Sequence, residues 1–391
     1  MSECGVKEFK LRELLKIYNG TKYDHLNKGD IPLYGSGGLM SHVNEALYSG
    51  EAILLPRKGT LSNIMYVNES FWTVDTMYYA VVNDKLADAF YLYSYLSQLD
   101  LSNLDSGSTL PSMTKSAYES IVVKLPDLKI QKAVATILFN IRKKLEINNQ
   151  INQELEAMAK TLYDYWFVQF DFPDQNGNPY KSSGGKMVYH PELKREIPEG
   201  WGVAKVEDIA QTGSGGTPKS TNVSYYSNGE IPWINSGELE QTVITSTSNF
   251  ITEEGLNNSS AKLFPSGTIL VAMYGATAGK VSFLTFEAST NQAICAIMLN
   301  DIRMRYYLKN VIEDLYQYLV KLSTGSARDN LSQDMIKNIK VVIPSNDILD
   351  RYYDFSNNII KEITKKQQEN EQLTQLRDWL LPMLMNGQVK V

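Results

Sequence analysis

Two stretches of this chain carry its longest hydrophobic pattern. From Ile130 to Trp166, and again from Ile348 to Leu384, apolar residues return every three or four positions. That spacing puts them on one face of an α-helix. No glycine or proline interrupts the first stretch, and Pro382 falls only near the end of the second. Each stretch predicts a helix of about 55 Å, whose apolar stripe needs a partner. The remaining sequence has a different rhythm. Short β-type runs, among them Ala52 to Leu55, Met77 to Val82, Thr268 to Ala272 and Ile294 to Leu299, are broken by Gly, Ser and Asn. They mix with helical stretches from Ala87 to Leu99 and from Arg303 to Leu322. This mixture predicts compact α/β domains.

The whole pattern occurs twice. GDIPLYGSGGL from Gly29 matches GEIPWINSGEL from Gly229, 200 residues on. SGEAILLPRKGT from Ser49 resembles SGTILVAMYGAT from Ser266, with Gly275 falling 216 residues after Gly59. SGSTLPSMTKSAYESIVVKLP from Ser106 matches TGSARDNLSQDMIKNIKVVIP from Thr324, 218 residues on, and both end at a proline, Pro126 or Pro344. The same offset continues through the long helices, placing Ile130, Ile137, Leu145, Leu155 and Leu162 on Ile348, Phe355, Ile363, Leu373 and Leu380. Collinear matches at so long a period mean a duplicated domain rather than a solenoid.

The chain therefore divides into a first α/β domain (1–126), a long helix (127–170), a linker (171–197), a second α/β domain (198–344) and a second long helix (345–391). The linker FDFPDQNGNPYKSSGGK and its continuation are rich in Pro, Gly, Ser and Asn. The expected fold is two globular α/β domains separated by a long antiparallel two-helix coiled coil, with a pseudo-two-fold internal duplication. The helical stripe is polar in the middle, around Asn148 and Asn152 in one helix and Lys366 and Asn370 in the other. The simpler expectation is that these are solvated positions where the stripe drifts off the contact. The alternative is that they fix register.

Composition narrows the function. The 391 residues are 43% hydrophobic and 21% charged, with a net charge of −6, which is ordinary for a soluble protein and too acidic for one that coats nucleic acid by bulk charge. No apolar run is long enough to span a bilayer and no signal peptide is evident, so the chain reads as cytoplasmic and free of membrane. Cys4 and Cys295, with three histidines, are too few for a disulfide framework or a zinc site. Catalytic motifs are missing as well. There is no Pro-Pro pair of the kind an adenine methyltransferase carries. Gly275 to Lys280 is one residue short of a phosphate-binding loop and is followed by Val281. Pro126-Asp127-Leu128-Lys129 has the outline of a nuclease motif but is expected to be the start of a helix, and Gly213 to Gly216 an ordinary turn.

Three segments carry a family resemblance. IQKAVATILFNIRKKLEINNQINQELEAMAKTLYDYWFVQFDFP resembles the first conserved region of type I restriction-modification specificity subunits. PYKSSGGKMVYHPELKREIPEGW resembles the start of the family's second target-recognition domain, and QENEQLTQLRDWLLPMLMNGQV its second conserved region. The likeness is weak inside the two recognition domains, and the chain starts without a counterpart of IPEGW before the first. The resemblance implies a protein that reads an asymmetric, bipartite double-stranded DNA target, one half-site per domain, with the spacer set by the helical rod. It implies a non-catalytic chain without a cofactor of its own. S-adenosylmethionine, ATP and magnesium would belong to its partners, two methyltransferase subunits and two motor-nuclease subunits. A methyltransferase system without the motor is equally compatible with the sequence. The reading from another class is an adaptor whose two heads bind something other than DNA, for which the low positive charge speaks.

Base edges and phosphates are met by Arg, Lys, Asn, Ser, Thr and exposed backbone. Two loops per domain have this chemistry at equivalent positions of the repeat. The candidate DNA contacts are Arg57, Lys58, Thr60, Ser106, Ser108, Thr109 and Lys115 in the first domain, and Tyr274, Thr277, Lys280, Ser326, Arg328 and Asn330 in the second. The alternative is that these are ordinary turns with solvated charges. Large apolar residues late in each helix, namely Met158, Leu162, Tyr163 and Trp166, then Leu376, Trp379, Leu380 and Leu384, exceed what a two-helix seam buries. They are the expected partner-binding surface.

Overall fold

The structure is a computed structural model that describes residues 6–101, 111–322 and 331–385. It falls into two compact units, residues 1–146 with 371–391, and residues 147–370.

The first unit opens with β1 (Lys7–Lys10), the single turn α1 (Leu11–Leu14) and β2 (Leu15–Asn19). β3 (Lys28–Gly35), β4 (Gly38–Val43), β5 (Tyr48–Pro56), β6 (Met65–Thr73) and β7 (Met77–Val82) follow. After α2 (Ala89–Leu96), α3 (Lys115–Ser120) and β8 (Val122–Leu125), the long helix α4 (Leu128–Tyr163) begins. Six strands form one sheet in the order β2-β7-β5-β6-β3-β4, while β1 pairs antiparallel with β8. Ile53, Leu55 and Ala80 from the sheet share a core with Phe90, Tyr91 and Tyr118, and with Val134 and Leu138 of α4. Leu384, near the end of the last helix, lies in the same core as these early α4 residues. The two long helices therefore run antiparallel here. The Asp127 carbonyl accepts from the N–H groups of Ile130 and Gln131, so the Pro126–Lys129 motif is a helix start. Gln131 is buried and stitches that start down, accepting from the Asp88 N–H at 3.0 Å and donating to the Pro126 carbonyl at 2.8 Å.

The second unit repeats the plan. A hairpin of β9 (Met187–His190) and β10 (Arg195–Pro198) precedes β11 (Gly202–Lys205), α5 (Val206–Ile209) and β12 (Ala210–Ser214). Next come β13 (Ile231–Ile234), β14 (Val243–Ile244), β15 (Phe250–Ile251), α6 (Glu253–Asn257) and β16 (Leu263–Phe264). β17 (Ile269–Ala272), β18 (Val281–Leu284), β19 (Ala288–Thr290), β20 (Ile294–Leu299) and α7 (Arg305–Leu322) continue the domain. It closes with α8 (Gln333–Lys337) and β21 (Lys340–Ile343), before α9 (Asn346–Met385). The strands form two sheets, β12-β20-β17-β18-β14 and β15-β13-β19-β16, and β11 pairs with β21 as β1 does with β8.

Single hydrogen bonds recur at equivalent places. The Leu11 N–H donates to the Ile121 carbonyl at 2.8 Å and the Val206 N–H to the Ile339 carbonyl at 3.0 Å. The Met113 N–H donates to the Arg57 carbonyl at 2.9 Å and the Leu331 N–H to the Met273 carbonyl at 2.8 Å. The first of these pairs reveals a further match that the sequence hides: β1-α1-β2 is the counterpart of β11-α5-β12.

Within the second unit the end of α4 also runs antiparallel to the start of α9. Trp166 and Phe167 pack their rings on Tyr352, Phe167 with centroids 4.7 Å apart. Burying Phe167 to 3% exposure stabilises the unit by about 2–3 kcal/mol. The helical seam corrects the expectation of solvated polar positions. Asn148 is fully buried, and its Nδ2 donates to Glu369 Oε2 at 3.0 Å and to Asn370 Oδ1 at 2.9 Å. Asn370 in turn donates to Asn149 Oδ1 at 2.8 Å. A slip of either helix would leave the buried Asn148 amide without these partners, so the set fixes register. Asn148→Ala is expected to lower stability by about 1–3 kcal/mol, read as a lower denaturant midpoint. An unchanged midpoint would restore the solvated reading.

The segment taken for a linker is folded. After Tyr163 the helix passes into a π-turn over Asp164–Val168, which turns both Trp166 and Phe167 inward. Phe170 then takes a φ of 63°, a costly conformation for a large side chain, held by burial of its ring against Trp201. Phe172 stacks between Tyr180 and Trp201 at 4.6 and 4.9 Å. Asp171 accepts from the Ser182 hydroxyl and N–H at 2.6 and 2.7 Å, which hold its carboxyl below the usual carboxylate range.

Candidate functional site

In the first domain, β5 ends at Pro56, and Arg57 to Thr60 turn away from the sheet. The turn is clamped to the segment before α3. Lys58 bridges Ser112, the Gly59 N–H donates to the Pro111 carbonyl at 2.9 Å, and the Tyr118 hydroxyl donates to the Pro56 carbonyl at 2.8 Å. This brings Arg57 and Lys115 to one ring. The guanidinium of Arg57 and the ammonium of Lys115 lie 6.0 and 5.9 Å from the centroid of Tyr78. A ring face attracts each cation by roughly 0.5–1 kcal/mol and offsets their mutual repulsion. Lys58 and Thr60 are exposed beside them. Four of the expected contacts thus share one end of the domain. Tyr78 was not foreseen. The alternation of MYYAVV marks only which face it occupies, and the fold alone supplies the two cations.

In the second domain the equivalent turn joins β17 to β18. Tyr274 is half-buried, and Gly275, with a φ of 90°, is open to solvent. The N–H groups of Ala278, Gly279 and Lys280 donate to the carbonyls of Gly275, Ala272 and Thr277. They are used within the hairpin and form no phosphate cradle. Thr277 is a correction: it is buried at 7% exposure, and its hydroxyl donates to the Ser236 carbonyl at 2.7 Å, so it holds the turn instead of facing DNA. Asn63 does the same in the first domain, donating to the Ser36 carbonyl at 2.8 Å. Lys280 is exposed on the wall of a hollow of about 570 Å³ that also takes in Glu156, Lys160, Glu240, Lys309 and Glu313. Burial works against the charge of Lys160 there, but Asp164 and Asp314 outweigh it and hold its pKa above the usual lysine value. Ser106, Ser108, Thr109, Ser326, Arg328 and Asn330 lie outside the described residues.

The expected partner surface divides. Tyr163, Trp166 and Leu384 are buried in the chain's own cores, because the helices pack on the domains as well as on each other. Leu162 and Leu380 are partly covered there. Met158, Leu376 and Trp379 remain in water, at 53%, 42% and 63% exposure. Cys295 is buried in the second domain, and burial pushes its thiol up to about 12, which makes it a core residue and no nucleophile. Among the described residues no helix is long and apolar enough to cross a membrane.

Comparison with known proteins gives a consistent answer. The profile of the type I restriction modification DNA specificity domain matches residues 3–157 and 198–375, one match per repeat. The type I restriction enzyme MjaIX specificity subunit of Methanocaldococcus jannaschii is 27% identical over 296 residues, which cover 74% of this chain and 66% of that subunit. The HindI specificity subunit of Haemophilus influenzae is 26% identical over 333 residues, covering 72% of each. A crystal structure of the type I restriction-modification system S subunit from M. genitalium superposes with a TM-score of 0.68 at 14% identity, over 98% of this chain and 97% of that one; this likeness is one of fold. With the family profile present in both halves of a duplicated chain, the protein belongs to the type I restriction-modification specificity subunits.

Proposed function

We propose that this chain reads an asymmetric, bipartite site on double-stranded DNA, one half-site per α/β domain, and that the length of its paired helices sets the unread spacer. The observation that carries this reading is a duplicated scaffold with different chemistry at its equivalent turns. Arg57, Lys58 and Lys115 gather in one domain, where the described residues of the other have Tyr274 at the turn and a single cation, Lys280, at its end. Two heads of one design but different surface suit two different half-sites. The chain catalyses nothing itself. Two methyltransferase subunits dock on exposed helical residues such as Met158, Leu376 and Trp379 and bring S-adenosylmethionine. Two motor-nuclease subunits supply ATP-driven, magnesium-dependent translocation and cleavage. With a net charge of −6, part of the phosphate grip falls to these partners.

The test is methylation-aware sequencing of cells carrying this chain and its methyltransferase. The expected result is one methylated motif in two unlike parts, separated by a gap of fixed length. A continuous motif, or no dependence on this chain, would refute the reading.

A further inference from the structure

The two domains share their scaffold and part company at one ribbon. β3 and β13 occupy equivalent places, each carrying an Ile-Pro pair. In the first domain β3 turns over Ser36 and Gly37 directly into β4, and Pro32 faces His42 ten positions on. In the second domain Pro232 faces Phe250, eighteen positions on. The longer connection there folds back onto the protein. β14 joins the main sheet beside β18 with Val243 and Ile244 buried, and the Val243 carbonyl accepts from Gln367 of α9 at 3.1 Å.

The short ribbon of the first domain is anchored at its base and free at its tip. Leu33, Val43, Trp72 and Val74 form a small core beneath it. The Tyr34 hydroxyl donates to Glu69 Oε1 at 2.9 Å; burial and this carboxylate push that hydroxyl up to about 12, so it stays a neutral donor. Beyond the base the usual alternation of a half-buried strand breaks down. Leu39, Met40, Ser41 and His42 are all exposed, Leu39 to 56% and Met40 to 53%. Nothing lies within 4 Å of where a side chain would start at Gly37 or Gly38. β4 is also the edge of its sheet and carries no charged residue, an edge that a free-standing protein normally blunts with charge. The tip abuts the cationic turn, since a side chain added at Gly59 would begin 3.2 Å from Ser36 Oγ.

We infer that the β3–β4 ribbon is a base-reading element of the first domain that enters the major groove. β4 presents Leu39 and His42, which stand opposite Tyr34 and Pro32 on one face of the ribbon, to base edges, while Arg57 and Lys58 meet the flanking phosphates. This rests on the DNA-reading role proposed above and names the residues that set one half-site. The major groove is wide enough for a two-stranded ribbon. An imidazole offers both donor and acceptor to base edges, and a leucine meets the thymine methyl group; Ser41, opposite Leu33, lies on the other face. Met40 leans back over Gly35 and is left out of the reading set.

The test uses the full chain co-expressed with its methyltransferase, with the methylated motif read across the genome. Leu39→Ala and His42→Ala are compared with Ser41→Ala, on the opposite face of the ribbon, and with Lys58→Ala. Each of the first two is expected to reduce discrimination by about 10-fold or more at one or two base pairs of a single half-site, leaving the other half-site intact, and Ser41→Ala is expected to leave the motif as it was. Lys58→Ala is expected to weaken methylation evenly at all sites without changing the motif. The altered positions are exposed, so the purified variants should melt with the parent chain. An unchanged motif in both the Leu39 and the His42 variant would overturn the inference, as would even weakening of every site without relaxed sequence preference. Neither outcome touches the broader reading, which fails if the methylated motif is continuous or independent of this chain, or if exchanging a whole domain does not change one half-site alone.

Discussion

Replacing residues 198–344 with the second recognition domain of another specificity subunit is expected to change one half-site completely and leave the other unaltered. Each mismatched base pair costs about 1–3 kcal/mol. A half-site changed at several positions therefore moves preference by roughly a thousandfold or more. The exchange is structurally reasonable because its joints fall at the end of β10 and just past β21. The surfaces that receive the domain, Trp166 and Phe167 in the π-turn after α4 and Tyr352 on α9, stay in place. The incoming domain has to supply what Tyr307 supplies here, a buried ring 4.7 Å from Phe167. Donors with an aromatic residue at that position should fold, and donors without one should lose stability first and activity with it. Sequencing of methylated sites in cells carrying the chimera reads the result. If both half-sites changed, the domains would not be independent readers, and the adaptor reading would gain ground.

Much of the architecture was legible because it depends on long patterns. The stripe from Ile130 to Trp166 and its copy from Ile348 gave the helices, and the four repeat matches gave two domains of one fold; the antiparallel direction of the helices was an expectation that the stripe itself does not set. What stayed hidden depends on contacts between residues far apart in sequence. Asn148 looks like a lapse in the stripe until Glu369 and Asn370 stand opposite it. The Pro- and Gly-rich run after Phe170 looks like a loose connection until Phe172 is seen between Tyr180 and Trp201. Among the site residues, Arg57, Lys58, Thr60 and Lys115 share one end of the first domain, where Arg57 and Lys115 meet the ring of Tyr78. Thr277 does not join a corresponding surface, because a small hydroxyl in a tight turn finds a backbone carbonyl before it finds a ligand. The partner surface was overread for a related reason. A helix that packs on both a domain and another helix buries more than one stripe, and Tyr163, Trp166 and Leu384 belong to the additional one.

That division sharpens the expectation for assembly. On α9, Leu380, Leu381, Leu384 and Met385 turn toward the first domain's core, while Leu376 and Trp379 turn outward one turn apart on another face. An indole left 63% exposed is the kind of anchor on which protein interfaces concentrate their binding energy. Placing carboxylates there, with Leu376→Asp and Trp379→Asp together, should weaken binding of the methyltransferase by at least about 100-fold. The chain itself should keep its melting temperature, because both positions are already in water. Leu384→Asp is the contrasting variant. It buries a charge in the core and is expected to unfold the first unit. Co-purification with the methyltransferase measures assembly directly, and methylation is expected to disappear from both half-sites together. Met158→Asp probes the exposed position on α4 in the same way and is expected to reduce assembly less, because methionine is a weaker anchor than tryptophan. Full assembly of the double variant would mean that the methyltransferase binds elsewhere, and the exposed indole would then require another partner.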